Sequence, residues 1–219
     1  MPIPNIRKNK EIRVGKPSPP WMVTYSDLMT QILIFFVMMF ALATALNELQ
    51  LVALKEKLQA YVEEHHLKDM VHLEINQKGL VISLREKLMF DRGKAEIYPY
   101  AKKILGDLAG YLMHGREGKP YPNDVRIEGH TCNLPIHTKE FPSNWELSTA
   151  RATNVTRYLV EETHFLPEKI SSAGYGEYQP VSPNDTEAHR ALNRRIDIIV
   201  RRISARGSKP TVIKEALTR

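Results

Sequence analysis

The chain has 219 residues, of which 31 are Lys or Arg and 25 are Asp or Glu, so its formal net charge is +6. The excess lies at the ends: residues 1–20 carry five basic and one acidic side chain, residues 201–219 six and one, and residues 48–200 carry 20 and 22. A nucleic-acid-binding domain needs a basic excess to neutralise phosphates, so the balanced middle excludes that partner. A single cysteine, Cys132, excludes an intrachain disulfide framework.

The first structured segment is an apolar run without charges from Leu28 to Leu46. As a helix, its 19 residues would span roughly 28 Å, close to the ~30 Å hydrocarbon core of a bilayer. We predict a transmembrane helix at 21–47 after a cytoplasmic basic tail at 1–20. Basic residues before the helix predict a cytoplasmic N-terminus, with the chain after residue 47 outside: Arg7, Lys8, Lys10, Arg13 and Lys16.

The alternative for this segment is a cleaved signal peptide. Small residues at Ala41, Ala43 and Ala45 give two small-x-small patterns of the kind that signal peptidase cleaves. However, the apolar run exceeds the ~7–15 residues of an ordinary signal-peptide core. An acidic residue at its start, Asp27, is also unusual in a signal peptide. We therefore predict a retained helix.

Asp27 lies at the cytoplasmic edge of the apolar run. A helix that begins near Val23 would carry it about one turn into the membrane, where ionisable groups are costly and usually face an ion path or a partner. The alternative is an interfacial N-cap, a position that Asp favours. Thr24 and Gln31 share its helical face. Such a polar stripe with one carboxylate is what a carried cation would need.

The stretch Pro19–Thr30, which reads PPWMVTYSDLMT, and the following Phe35-Phe36-Val37 closely resemble the single transmembrane segment of MotB, the flagellar motor stator protein. The resemblance implies that Asp27 is the ion-binding carboxylate, loaded outside and unloaded inside, with H⁺ favoured and Na⁺ as the alternative. It also implies a homodimer within a ring of MotA-like subunits, which act on the flagellar rotor. No cofactor other than the transported ion is expected.

The next segment, 48–70, is predicted to be a linker that begins with an amphipathic helix at 48–66. Its apolar residues recur at spacings of three and four: Leu51, Leu54, Leu58, Tyr61 and Val62. Taken alone, this pattern fits a stalk or a core helix of the next domain. By resemblance to MotB, the segment lies where that family has a plug that blocks ion flow before the stator docks.

From 71 to 202 the chain alternates strands and helices, and a basic tail follows at 203–219. Strands are predicted at 73–75, 80–84, 125–130, 169–176 and 195–201, with a hairpin turn at Lys78-Gly79. Helices are predicted at 98–113 and after a capping box formed by Ser143 and Glu146. The resulting class is α+β, with one mixed sheet packed with helices after the N-terminal transmembrane helix.

Four motifs occur in a specific order in this region. They are Gly129-His130-Thr131, the segment 144–155 with Asn144, Leu147 and Arg151, the segment 174–180, and the segment 193–198. This order resembles the OmpA-like peptidoglycan-binding domain. Together with the resemblance to MotB, it implies a single-pass protein of the bacterial cytoplasmic (inner) membrane whose C-terminal domain is periplasmic or otherwise extracytoplasmic. No phosphate-binding loop or nucleophile elbow occurs, so no enzyme activity is expected.

The resemblance also implies a binding pocket for the diaminopimelate of the peptide stem. Arg151 is placed to bind its carboxylate, since a guanidinium fork fits that anion. The alternative for Arg151 is a surface contact on the face of Leu147. Thr131, Asn144 and Leu147 match other pocket positions, whereas Arg194 and Arg195 are expected to serve mainly the fold.

Cys132 stands where the family usually has an Asp that can bind the ligand's ammonium group. A neutral thiol cannot supply that charge, and Glu128 or Glu140 is the candidate replacement.

Two further alternatives concern function class. His130, Cys132 and His137 suggest a metal site, but zinc needs three or four ligands, so none is predicted. The second alternative is a cell-wall tether without ion conduction, or a MotB-like stator of a non-flagellar machine for gliding or defence.

Overall fold

The computed structural model describes residues 19–113 and 124–202, divided between two units, Met1–Ala45 and Leu46–Arg219. Most of the predicted N-terminal tail and all of the C-terminal tail lie outside the described residues. Helix α1 (Pro20–Glu64) begins at a proline, which suits the first helical position because its missing N–H has no partner there. Its segment Pro20–Leu42 is a candidate membrane span with a mean hydropathy of 1.7.

The part of α1 that belongs to the second unit is amphipathic, as predicted. Its apolar face is buried in the main hydrophobic core: Leu51, Leu54, Leu58, Tyr61 and Val62. The Tyr61 hydroxyl also donates to Asp107 Oδ2 at 2.7 Å. In this structure the segment is therefore a core helix of the second unit, which is one of the alternatives that the sequence leaves open.

The described part of the second unit holds a five-stranded sheet in the order β1-β2-β5-β3-β4. The strands are β1 (Val71–Asn76), β2 (Gly79–Arg85), β3 (Val125–His130), β4 (Ile170–Gly174) and β5 (Arg195–Arg201). Only β3 and β4 pair in parallel; the other neighbours are antiparallel. The predicted mixed sheet is confirmed. The last strand, β5, lies at its centre between β2 and β3, and its residues are therefore buried up to Val200.

Four shorter α-helices follow α1 in the described residues: α2 (Glu86–Met89), α3 (Pro99–Met113), α4 (Asn144–Glu161) and α5 (Glu187–Asn193). The sequence predicts α3 and α4 but not the other two. The α4 cap forms as expected, since Ser143 Oγ accepts from the Trp145 amide at 3.1 Å and donates to Glu146 at 2.5 Å.

Two glycines bring α4 close to the parallel strands. A Cβ on Gly129 would overlap the Ser148 carbonyl oxygen, and one on Gly174 would overlap the Thr149 hydroxyl. Both glycines lie at strand ends, so the first turns of α4 pack directly against the ends of β3 and β4. This close packing places the start of α4 beside the loop that follows His130.

Candidate functional site

Asp27 lies inside α1, about two turns after its first residue. The interfacial N-cap alternative is therefore wrong, because an N-cap residue flanks the first residue of a helix and this helix begins at Pro20. Gln31 Nε2 donates to Asp27 Oδ2 at 3.4 Å, as their shared face predicts. The Thr24 hydroxyl donates to the Trp21 carbonyl at 2.8 Å and not to the carboxylate. The carboxylate thus has one long amide contact from its own helix.

The second site is a small cavity, about 110 Å³, where the loop after β3 meets the start of α4. All five residues that the OmpA resemblance assigns to peptidoglycan binding line it: Thr131, Cys132, Asn144, Leu147 and Arg151. The cavity is also lined by Glu86, Arg92 and Arg194, so three arginines face one carboxylate. The lining therefore carries a net positive charge, which favours an anionic ligand.

Arg151 is buried, with only 2% of its surface exposed, so the surface-contact alternative is wrong. Its Nη2 lies 2.5 Å from Glu86 Oε1, and its Nε donates to the Lys94 carbonyl at 2.8 Å. Its guanidinium also covers the Phe90 ring at 4.9 Å. Burial lowers the pKa of Arg151 and the Glu86 charge opposes that shift, but a guanidinium stays charged at any physiological pH.

Glu86 is the counter-ion that sequence reasoning missed. Its second oxygen, Oε2, lies 2.8 Å from Arg194 Nε, so one carboxylate joins two guanidinium groups of the cavity. Arg194 also bonds Glu187 at 2.6 Å and donates from Nη1 to Cys132 Sγ at 3.6 Å. Burial opposes the charge on Arg194, yet the contacts with Cys132 and Glu187 raise its pKa.

The expectation that Glu128 or Glu140 replaces the missing Asp is wrong for Glu128. Its carboxylate is bound to Lys78 and Arg126, at 3.1 Å each, away from the cavity lining. Glu140 is exposed and is not among the lining residues. The acid of the cavity comes instead from α2, a helix too short to show a sequence pattern. Of the two arginines expected to serve the fold, Arg194 lines the cavity.

Thr131 and Asn144 play different parts in the cavity. The Thr131 hydroxyl is buried and has no hydrogen-bond partner among the described residues, so it is free to bond a ligand. Asn144 Nδ2 contacts the carbonyls of Cys132 and Leu134 and the Glu177 carboxylate at 2.9–3.2 Å. Asn144 therefore holds the loop that forms one wall, while Thr131 offers an unused polar group.

The three residues considered for a metal site do not come together. His137 is exposed and its Nδ1 lies 2.9 Å from the Pro142 carbonyl. His130 instead lies near Glu128 and Asp197, with its Nε2 at 3.4 Å from Asp197 Oδ2. Asp197 is already paired with Arg195 at 2.9 Å, and Glu128 has two cationic partners of its own. This cluster is an internal ion-pair network of the sheet.

The network predicts acid sensitivity of the fold. Burial raises the pKa of Glu128, but the contacts with His130 and Lys78 and the charge of Arg126 outweigh it and lower the pKa from 4.5 to about 2. A carboxylate with a depressed folded-state pKa contributes stability above pH 4.5 that is lost as the pH falls towards 2. At about 1.4 kcal/mol per unit, the contribution is roughly 3 kcal/mol.

We expect Glu128→Gln to be less stable than the wild type at pH 7 and to lose less stability between pH 5 and pH 2. Urea unfolding of the full chain in detergent at several pH values measures both effects. The exposed Glu140→Gln is the matched control and should follow the wild-type curve. Parallel curves for Glu128→Gln and the wild type would contradict the assignment.

Comparisons with known proteins agree with this geometry. The OmpA family matches residues 89–194, and the family described as "Membrane MotB of proton-channel complex MotA/MotB" matches residues 6–61. Motility protein B of Bacillus subtilis is 31% identical over 71% of this chain and 58% of its own length. The uncharacterized protein YtxE of the same organism is 29% identical over 90% of this chain and 94% of its own length.

A solved structure described as the cell wall anchor of the T6SS from Pseudomonas aeruginosa is also similar. It is 27% identical, has a TM-score of 0.58, and the match covers 66% of this chain and 96% of that chain. The sheet and the cavity therefore define an OmpA-like domain, joined to one candidate membrane helix in the described residues.

Together these matches support a MotB-family protein with an OmpA-like domain. Members of this family and of the OmpA-like family are structural proteins and not enzymes. The expectations of family, fold class and non-enzymatic nature that arise from the sequence are thus confirmed. The chain spans little more than half of Motility protein B, at 58% of its length.

Proposed function

We propose that the chain is a stator subunit of the bacterial flagellar motor. Asp27 carries ions across the inner membrane, and the OmpA-like domain holds the complex on peptidoglycan, so that ion flow produces torque. One observation carries this proposal. A single chain of the MotB family combines a carboxylate within a candidate membrane span with a cation-rich cavity in a domain of the OmpA family.

In this proposal the ion path depends on one carboxylate and its polar neighbours. Thr24 and Gln31 lie on the face of Asp27, and Gln31 contacts it directly. An ionisable group among apolar side chains needs a partner, which a ring of MotA-like subunits around a dimer would supply. The basic N-terminal tail favours a cytoplasmic N-terminus and a periplasmic domain. H⁺ is the proposed ion, with Na⁺ as the alternative.

We further propose the division into a span at 21–47, a plug and linker at 48–70 and a wall-binding domain at 71–202. The plug proposal requires a change from the present structure. The apolar face that a plug would offer to the membrane part is buried in the core through Leu51, Leu54 and Leu58. The segment can act as a plug only in a state where that face has left the core.

Wall binding rests on the charge of the cavity. Arg92, Arg151 and Arg194 exceed the single carboxylate of Glu86, so a carboxylate of the peptide stem is attracted. The unpaired Thr131 hydroxyl offers one further bond. Cys132 brings no charge, and the Glu86 carboxylate is already paired with Arg151 and Arg194.

The proposal is tested by expressing the full chain with its MotA-like partner in cells that lack their own stator. Restored swimming in Na⁺-free medium is expected, together with sedimentation of the solubilised chain with isolated cell walls. If swimming required Na⁺, the transported ion would be Na⁺ and not H⁺, and the stator function would still be supported. Wall sedimentation without any swimming, under either ion, would contradict the stator.

That last outcome would support the second candidate, a cell-wall tether without ion conduction. The likeness to the Pseudomonas aeruginosa structure, at 27% identity over 66% of this chain, favours a tether because that protein is described as a cell wall anchor. A tether has no use for a carboxylate within its membrane span. Asp27 therefore separates the two candidates.

A further inference from the structure

Two exposed aromatic side chains lie together near the cavity. Trp145 is 49% exposed and Tyr178 is 71% exposed, and their ring centroids are 5.6 Å apart. Large aromatic rings that meet in water leave apolar surface uncovered, which is a common mark of a binding surface. We call this pair the aromatic platform.

The aromatic platform adjoins the cavity through the backbone on both sides. Trp145 directly follows Asn144, and Tyr178 directly follows Glu177. Asn144 lines the cavity and donates to Glu177 Oε2 at 2.9 Å. The Cα atom of each platform residue is therefore ~3.8 Å from the Cα atom of a member of the hydrogen-bonded pair Asn144 and Glu177. A ligand that fills the cavity and extends beyond it can therefore reach the rings.

The aromatic platform is also held in place before any ligand binds. Trp145 lies in the capped first turn of α4, where its amide bonds Ser143. On the other side, the Gly176 amide bonds Ser148 Oγ at 2.9 Å, and the Tyr178 amide bonds the Tyr175 carbonyl at 3.2 Å. A surface whose backbone is held in advance loses less entropy on binding than one carried by an unanchored loop.

We propose that the aromatic platform binds a sugar ring of the glycan strand whose peptide stem enters the cavity. This inference rests on the proposed wall-binding function. The ring of an N-acetylhexosamine presents C–H groups on one face, and aromatic faces attract such groups through their negative potential. A stem residue spans at most about 3.5 Å, so a few residues between the cavity and the sugar keep the sugar within reach.

The test compares two ligands on the full chain in detergent: a disaccharide-peptide fragment of peptidoglycan and the free peptide stem of the same sequence. The wild type should bind the disaccharide-peptide about tenfold more tightly, as expected for aromatic stacking. Tyr178→Ala, at an exposed side chain, should reduce this preference to near one while binding of the free stem is unchanged. Tyr100→Ala, at a tyrosine 57% exposed on α3, is the matched control and should keep the preference.

Fluorescence gives a second, direct measurement. The chain has two tryptophans, Trp21 and Trp145, so Trp21→Phe leaves Trp145 as the reporter. The disaccharide-peptide should change its emission, and the free stem should not. The proposal that the aromatic platform binds a sugar ring would be overturned by equal affinities of the wild type for both ligands. It would also be overturned if Tyr178→Ala kept the wild-type preference for the disaccharide-peptide. Failure of the wild type to bind the free stem would instead overturn the proposed cavity.

Discussion

Asp27→Asn is expected to insert normally and to abolish motility completely. Asparagine has the shape of aspartate and can keep the contact with Gln31, now 3.4 Å long. It cannot, however, bind and release a proton, and it lacks the charge that holds a cation. Removing an ionisable group from an apolar helix lowers the cost of insertion, so the protein should reach the membrane in undiminished amount. Swimming speed and the quantity of chain in the membrane fraction measure the two effects separately.

The matched control for Asp27 is Glu56→Gln, the same exchange of acid for amide at an exposed position later in α1. Cells with this control should swim. A further variant, Gln31→Leu, keeps the Asp27 carboxylate but removes the contact that Gln31 makes with it. We expect these cells to swim more slowly than the wild type but not to stop swimming. A swimming Asp27→Asn strain would refute the carrier role and leave the tether as the better account.

The elements that the sequence predicts well are those with a local signal. The face of α3 and the apolar positions of α1 follow from helical periodicity, and the α4 start follows from its Ser143 cap. The helices α2 and α5 are too short for any periodicity to appear. The central position of β5 depends on pairing with β2 and β3, which are distant in sequence, and no local pattern specifies such pairing.

The candidate site divides in the same way. The motifs bring Thr131, Asn144 and Arg151 together because they lie on two consecutive elements. Glu86 reaches the cavity from a separate part of the chain, and within Arg85-Glu86-Lys87 it looks like an ordinary surface charge. Only the folded arrangement shows that it joins Arg151 and Arg194. Asp27 lies nearly one turn further into its helix than a start near Val23 predicts, because the helix begins three residues earlier, at Pro20.

Arg151→Lys is expected to weaken wall binding on the order of 100-fold while the domain stays folded. Lysine keeps the positive charge beside Glu86, which also retains Arg194 as a partner. A compact ammonium cannot make the planar, two-pronged contact with a carboxylate that a guanidinium makes. The loss of one charge-assisted bond and its geometry is worth about 2–3 kcal/mol. Sedimentation with isolated cell walls, measured on the full chain in detergent, gives the change in affinity.

Lysine is a better test than alanine because of the burial of this ion pair. Arg151→Ala would leave the Glu86 carboxylate with Arg194 as its remaining partner and would remove a buried side chain, so it would also destabilise the domain. A loss of wall binding could then come either from the missing ligand contact or from unfolding of the domain. The control Arg157→Lys makes the same exchange on the exposed side of α4, where Arg157 pairs with Glu161 at 3.3 Å. Thermal unfolding should show that both variants are folded. If Arg151→Lys then bound walls as tightly as Arg157→Lys, the guanidinium of Arg151 would be dispensable, and the cavity would not be the wall-binding site.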